Sequence, residues 1–275
     1  MEPEKLAAIA RGLRRQGLRG LCRGDAYFTT VKKYYEQVTP LLLETFGHTY
    51  QVALFDERPR ASNLSILGRA GVADGMRILD AGCGCGGPAI DWLDNCPGLS
   101  IDGITVSSSQ VDVCGRLSSE LGYRDRWRTV EGDFHQLPFP DQSFDGCLFI
   151  ESSGHSDNPV QLYTEALRVL KPGGFVYLKE PYLLERSRAK AELLAEFEAI
   201  YTHKLVTLDE AHSQLEQAGF AQVESQDISD LVTTAHFAEA MRDAKGELTE
   251  FGEQHAFFHA PLPIIIGEIR ALKSG

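Results

Sequence analysis

Between Asp80 and Ala89 the chain reads DAGCGCGGPA, four glycines and two cysteines in ten residues. Three chemistries use such a stretch. Paired cysteines can clip a metal or cycle as a redox couple, and clustered glycines can bring backbone N–H groups close to a nucleotide. The six cysteines of the chain, Cys22, Cys83, Cys85, Cys96, Cys114 and Cys147, include no CxxC pair and no framework of a small secreted domain, so reduced thiols are expected.

The elements that must carry this stretch follow from the pattern around it. From Met76 onward short apolar runs alternate with helical segments: RILDAG, SIDGIT, WRTVEGD, FDGCLFIES and GGFVYLKEP. This is the βαβ rhythm of a parallel sheet covered on both faces. FAQVESQDI and PIIIGEIRAL read as two closing strands. Residues 183–208 read as an inserted lid helix, residues 231–256 as a second, and Thr207 with Glu210 offers a capping box for a helix running to Ala218. The expected domains are an N-terminal helical segment and cap over 1–60 and the sheet domain over 61–275. Open α/β sheets bind ligands beyond the carboxyl ends of their strands, so strand-end residues carry the functional weight.

Composition bounds the partners. A chain of 275 residues with 43% hydrophobic content can bury a full core. Its longest apolar runs fall short of the roughly 20 residues of a membrane span, and the N-terminus lacks the apolar region of a signal peptide. A soluble cytoplasmic protein is expected. The net charge of −12 opposes binding to nucleic-acid backbones. Residues 1–24 are the exception, with six Lys/Arg against two Glu, and their amphipathic pattern at Leu6, Ile9, Ala10 and Leu13 predicts a helix that docks on a neighbouring subunit. A homo-oligomer is expected.

The glycine spacing discriminates further. A dinucleotide fingerprint would read GxGxxG with an acidic residue about 20 positions on. Here Asp80, Gly82, Gly84 and Gly86 give D-x-G-x-G-x-G, which resembles the first motif of class I S-adenosylmethionine-dependent methyltransferases. Further blocks match in order: DGITVSSSQ, EGDFHQLPFPDQSFD, LFIESSGHSDNP and EALRVLKPGGFVYLKEP. The resemblance implies a Rossmann-like α/β sheet, mostly parallel with an antiparallel last strand, and S-adenosyl-L-methionine as cofactor. It also implies that Gly82, Gly84 and Gly86 line the methionine part while Asp133 and Phe134 meet the adenine.

The ribose-binding carboxylate common in that family is absent, because Thr105 holds its place. GITVSSSQ resembles instead the form found in sterol C-methyltransferases, geranyl diphosphate C-methyltransferase and cyclopropane fatty acid synthases, which implies cofactor contacts from Thr105 and Gln110. Upstream, KKYYEQVTPLLLETFGHTYQVALF is similar to the entry segment of the sterol group, with Phe46 in place of Trp. That similarity implies that Tyr35 closes over the cofactor's carboxylate, with Tyr34 as the rival.

Methyl transfer needs a nucleophile aligned at the methyl carbon and water excluded. The ends of the fourth and fifth strands offer Glu151, His155 and Glu180 as catalytic groups. For a hydroxyl acceptor His155 would take the proton. For an alkene acceptor a carbocation forms, aromatic faces stabilise it and Glu151 is suited to remove a proton. Glu180 could instead pair with a lid lysine such as Lys190. Tyr182 and Tyr201 are the candidate substrate-binding residues, among further aromatics at Tyr177, Phe197, Phe257 and Phe258. His255 and His259 have no third ligand nearby, so no metal site is expected.

The function expected is C-methylation of an isoprenoid or prenylated natural product, for instance a prenylated indole alkaloid, a small-molecule acceptor in secondary metabolism. O- or N-methylation of a sugar, polyketide or amine is the alternative. A nicotinamide-dependent oxidoreductase, the reading from another class, is disfavoured by the glycine spacing. Arg186 and Arg188 are the nearest cations for a diphosphate acceptor, and no basic cluster sits at a strand end.

Overall fold

The computed structural model describes residues 27–51, 53–54, 59–186, 189, 191–233 and 262–275. The basic segment 1–24, Arg188, Lys190, His255, His259, Phe257, Phe258 and nearly all of the second lid helix lie outside them.

Seven strands form one sheet: β1 Arg77–Ala81, β2 Ser100–Thr105, β3 Trp127–Glu131, β4 Phe144–Ile150, β5 Leu170–Leu183, β6 Ala221–Asp227 and β7 Ile264–Leu272. Their spatial order is β3-β2-β1-β4-β5-β7-β6. The pairs among β1 to β5 are parallel, and β7 runs antiparallel to both β5 and β6. The predicted α/β sheet with its antiparallel last strand is therefore present. The strand order reverses between β1 and β4, where Asp80 is flanked by Gly103 of β2 and Leu148 of β4.

Both faces of the sheet are buried, which explains why its central strands are continuously apolar rather than alternating. Ile78 packs toward Ile66 of helix α2 (Pro59–Ala70) and Trp92 of α3 (Gly87–Asn95). The next residue, Leu79, points the other way, into a core shared with Leu162 and Tyr163 of α5 (Pro159–Val169) and Leu215 of α7 (Leu208–Gln217). Helix α4 (Ser108–Glu120) starts on a Ser107 cap whose side chain accepts from Gln110 N. The capping box read at Thr207 and Glu210 is formed, and α7 ends on Ala218.

Helix α1 (Tyr27–Phe46) lies within the segment expected to be the N-terminal cap and is bonded to the sheet domain. Its Glu36 accepts from Ser108 Oγ and Ser109 N at the start of α4, and its Thr39 accepts from Gln110 Nε2 at 3.1 Å. The first lid helix is shorter than 183–208. β5 stays paired with β7 through Leu183, so helix α6 occupies only Ala191–Tyr201 and Thr202 ends it with φ of 52°. Ser229–Leu231 is a 3-10 turn and Val232–Thr233 pairs antiparallel with Ala53–Leu54, so the start of the predicted second lid helix is not helical.

Candidate active site

One cavity opens at the carboxyl ends of β1, β2 and β4, roofed by α1 and α6. Its floor is the glycine turn. Gly82, Gly84 and Gly86 all have positive φ, 90°, 53° and 78°, conformations that cost a side-chain-bearing residue. A Cβ on Gly82 would lie 2.4 Å from Ser152 Cβ and one on Gly86 2.3 Å from the Trp127 ring. A Cβ on Gly84 would meet nothing within 4 Å, so at this position the backbone faces the cavity directly.

Beside the turn, Asp80 is buried, and its Oδ2 has no hydrogen-bond partner among the described residues. Desolvation pushes its carboxyl up to about 7. A buried carboxylate oxygen left without a donor is costly, so it marks where a ligand donor belongs. The sequence signal was the aspartate opening the glycine motif, which had no role assigned. The turn thus fits the cofactor that the resemblance implies: an exposed backbone cradle with an acidic acceptor for a cationic group.

The remaining predicted cofactor residues converge on the same cavity. Thr105, at the end of β2, donates to Gln110 Oε1 at 2.5 Å, and both line the cavity. Asp133 and Phe134 line it as well. Asp133 Oδ1 accepts from His135 N at 2.8 Å and from His135 Nδ1 at 2.7 Å, which holds its carboxyl below the usual range. Because a carboxylate only accepts, His135 donates from Nδ1, and its Nε2 lies 2.7 Å from Ser156 Oγ.

The two cysteines of the turn have buried thiols, and burial pushes Cys85 up to about 12. Cys83 and Cys114 thiols both donate to the Gly84 carbonyl, at 3.8 and 3.5 Å. Among the described residues no group of three His, Cys, Asp or Glu could hold a metal ion.

The three residues predicted for the acceptor side behave differently. Glu151 lines the cavity from the end of β4 with φ of 55°, and its carboxylate pairs with Lys179 Nζ at 2.5 Å. His155 also lines it. Its Nδ1 faces the Thr202 carbonyl at 2.8 Å, so Nδ1 carries the proton and Nε2 accepts from the Tyr35 hydroxyl at 2.7 Å. Burial lowers its imidazolium to about 4, and the Thr202 bond only partly offsets this. The Tyr35 hydroxyl, expected over the cofactor, is thus committed to His155. Tyr34 packs edge-on to Tyr35 at 5.1 Å and lines the same wall.

Glu180 does not line this cavity. It is buried behind the Ser152–His155 turn, where Oε1 accepts from Ser152 N at 2.9 Å and Ser153 N at 2.8 Å. Desolvation raises it to about 8. The carboxyl holds this loop through one oxygen, and its Oε2 has no hydrogen-bond partner among the described residues. Tyr182 is displaced for a related reason: β5 directs it into the core, at 2% exposure beside Tyr163, away from the cavity. Tyr201 does line the cavity, as does Phe197, from α6.

Besides Asp80, four contributors carried no sequence assignment. Tyr27 donates to the Thr202 carbonyl at 2.6 Å, His203 packs edge-on to His155 at 5.0 Å, and Gln51 and Lys179 stand behind Glu151. Lys179 had a readable signal, a lysine next to Glu180 in the otherwise mostly apolar run FVYLKEPYL of an interior strand. The others depend on loops that meet only in the fold.

Comparison with known proteins agrees with this geometry. Residues 79–178 match the family model of the methyltransferase domain. The sterol 24-C-methyltransferase ERG6B of Gibberella zeae is 29% identical over 222 residues, 75% of this chain and 57% of that protein, so the chain spans little more than half the length of this relative. The sterol 24-C-methyltransferase of Yarrowia lipolytica is 34% identical over 158 residues, 55% of this chain and 41% of that protein. Among solved structures, geranyl diphosphate C-methyltransferase from Streptomyces coelicolor A3(2) has a TM-score of 0.74 at 19% identity, covering 92% of this chain and 99% of its own. The [4+2]-cyclase SpnF has the same TM-score at 24% identity, covering 90% and 97%. These two likenesses concern the fold, which can host more than one chemistry. The cradle, its orphaned aspartate and the matched family model together make residues 79–178 a methyltransferase domain, in a chain that resembles the sterol 24-C-methyltransferases in sequence and geranyl diphosphate C-methyltransferase in fold.

Proposed function

We propose that this protein methylates an alkene carbon of an isoprenoid or prenylated small molecule, such as a prenylated indole alkaloid. The observation that carries the reading is the Glu151 carboxylate, presented by an ion pair into a cavity walled by Tyr34, Tyr35, Tyr50, Phe197 and Tyr201. When bound, S-adenosyl-L-methionine supplies an electrophilic methyl group. Asp80, Gly84, Thr105, Gln110, Asp133 and Phe134 are the residues that would hold it.

The acceptor's π electrons would form the new bond to that methyl carbon as its bond to sulfur breaks, the bonding pair staying on sulfur and S-adenosyl-L-homocysteine leaving, and a carbocation would remain on the acceptor. The aromatic faces stabilise that charge. Glu151 then takes a proton from the neighbouring carbon, the C–H electron pair restores a double bond, and the proton leaves from Glu151 to solvent. The apolar walls keep water from trapping the cation.

A hydroxyl acceptor with His155 as base is supported less. The imidazole lone pair already accepts from Tyr35, and a group whose conjugate acid sits near pH 4 is a weak base for an alcohol. Mass spectrometry of prenylated, sterol-like and hydroxylated acceptors with methyl-labelled cofactor tests the assignment. Labelled carbon-methylated product, lost in Glu151→Gln and retained in His155→Gln, is expected. Label on oxygen or nitrogen, or full activity in Glu151→Gln, would overturn it.

A further inference from the structure

We propose that Lys179 is a positioning residue that keeps the Glu151 carboxylate ionised and turned into the cavity. The inference rests on the reading that Glu151 faces the acceptor, and goes beyond it by assigning how that carboxylate is made available.

Lys179 lies in the centre of the sheet with its side chain wholly buried. Burying an ammonium costs several kcal/mol unless it is paired, and an apolar residue would fill a central strand position without that cost. Its Nζ meets Glu151 Oε1 at 2.5 Å and Gln51 Oε1 at 3.4 Å. Its backbone carbonyl accepts from Glu151 N at 2.8 Å, so the same residue grips both ends of the glutamate. Glu151 in turn is held at positive φ, a conformation unfavourable for a glutamate and sustained only where surrounding bonds enforce it. A strained backbone and a buried cation at one point both serve to aim a single carboxylate.

The consequence is electrostatic. A lone carboxyl in an apolar cavity takes up a proton and can then neither hold a cation nor accept a proton. With Lys179 behind it, the pair is neutral as a whole and needs little solvation. The other titratable groups that interact with Glu151 among the described residues are Glu180 from β5, Tyr35 from α1 and Tyr50 from the segment after it, with His155 and Asp80 elsewhere on the cavity wall.

The test separates Glu151 from those neighbours. Decyltrimethylammonium, a stable cation with an apolar tail, is titrated calorimetrically into the full chain saturated with S-adenosyl-L-homocysteine, at pH 6 and pH 8. In wild type the affinity should change less than about threefold between the two, and in Lys179→Met it should fall roughly tenfold or more at pH 6. Lys179→Gln should behave like Lys179→Met and serves if the methionine variant does not fold, and Lys179→Arg should restore the wild-type response. In Lys179→Met/Glu151→Gln the added pH dependence should vanish, because Asp80, Glu180 and His155 are unchanged. A wild-type pH response in Lys179→Met or Lys179→Gln overturns the inference, as does a wild type that does not bind the probe. If Glu151→Gln binds as tightly as wild type, the placement of Glu151 at the acceptor fails instead, a different outcome.

Discussion

Tyr35 donates its phenolic proton to His155 Nε2 across 2.7 Å, and this bond ties the first helix to the turn that follows β4. The direction is imposed from the far side of the ring, where the Thr202 carbonyl accepts at 2.8 Å and the Thr202 hydroxyl, 3.4 Å away, already donates to the Tyr201 carbonyl. The same carbonyl accepts from Tyr27, so α1, the turn and the end of the lid helix close over the cavity through one neutral imidazole.

That imidazole should be a source of acid sensitivity. Its folded value, about 4, lies below the unfolded 6.5, so the unfolded chain binds more protons between those values. Stability contributed by neutral His155 is complete above pH 6.5 and is lost as pH falls toward 4, by an amount on the order of 2–3 kcal/mol. Thermal melts of His155→Gln between pH 4.5 and 7 should show a shallower slope against pH than wild type. Parallel slopes would mean that the ring is not held neutral by burial.

Asp80 should show the opposite sign. Burial raises its folded value to about 7, so the native protein without ligand binds the extra proton, and stability falls as pH rises through the interval up to 7. At pH 8 Asp80→Asn should raise the melting temperature of the ligand-free protein, since it removes a desolvation cost of about 1–3 kcal/mol. The same change should weaken S-adenosyl-L-homocysteine roughly tenfold or more and flatten the loss of its affinity below pH 7. Calorimetric titration across pH 6–8 checks both, and unchanged affinity would remove Asp80 from the cofactor site.

The glycines of the turn should separate by readout. Gly84→Ala pays about 1–2 kcal/mol for its positive φ but meets no neighbouring atom, so its main effect should be lost cofactor affinity. Gly86→Ala drives a methyl into the Trp127 ring and should lower stability by several kcal/mol, with affinity following stability. Melting temperature and S-adenosyl-L-homocysteine affinity measured on both variants distinguish a cradle position from a packing position.

Glu180→Gln should be nearly silent. The amide keeps an oxygen for the Ser152 and Ser153 N–H groups and matches the neutral acid favoured by a value near 8. Glu180→Ala leaves two buried N–H groups without acceptors and should cost about 2–4 kcal/mol. A Glu180→Gln variant with normal melting temperature but no turnover would restore a chemical role to this carboxyl.

The sequence by itself determined the sheet, its helices and the cofactor cradle. Local patterns suffice there: the apolar runs of a two-faced parallel sheet are continuous, the glycine spacing encodes positive φ at Gly82, Gly84 and Gly86, and Thr207 with Glu210 forms its cap from adjacent residues. What only the tertiary structure decided is which side chains reach the acceptor. Glu151, His155, Glu180 and Tyr182 all sit at strand ends and look equivalent in sequence, yet two line the cavity and two do not. Alternation sends Tyr182 into the core, two N–H groups of the turn capture Glu180, and a carbonyl fixed 47 residues away at Thr202 sets the proton on His155. Lys179 makes the same point: nothing in its neighbours along the chain names Glu151 as partner, because the two meet through the parallel pairing of β4 with β5.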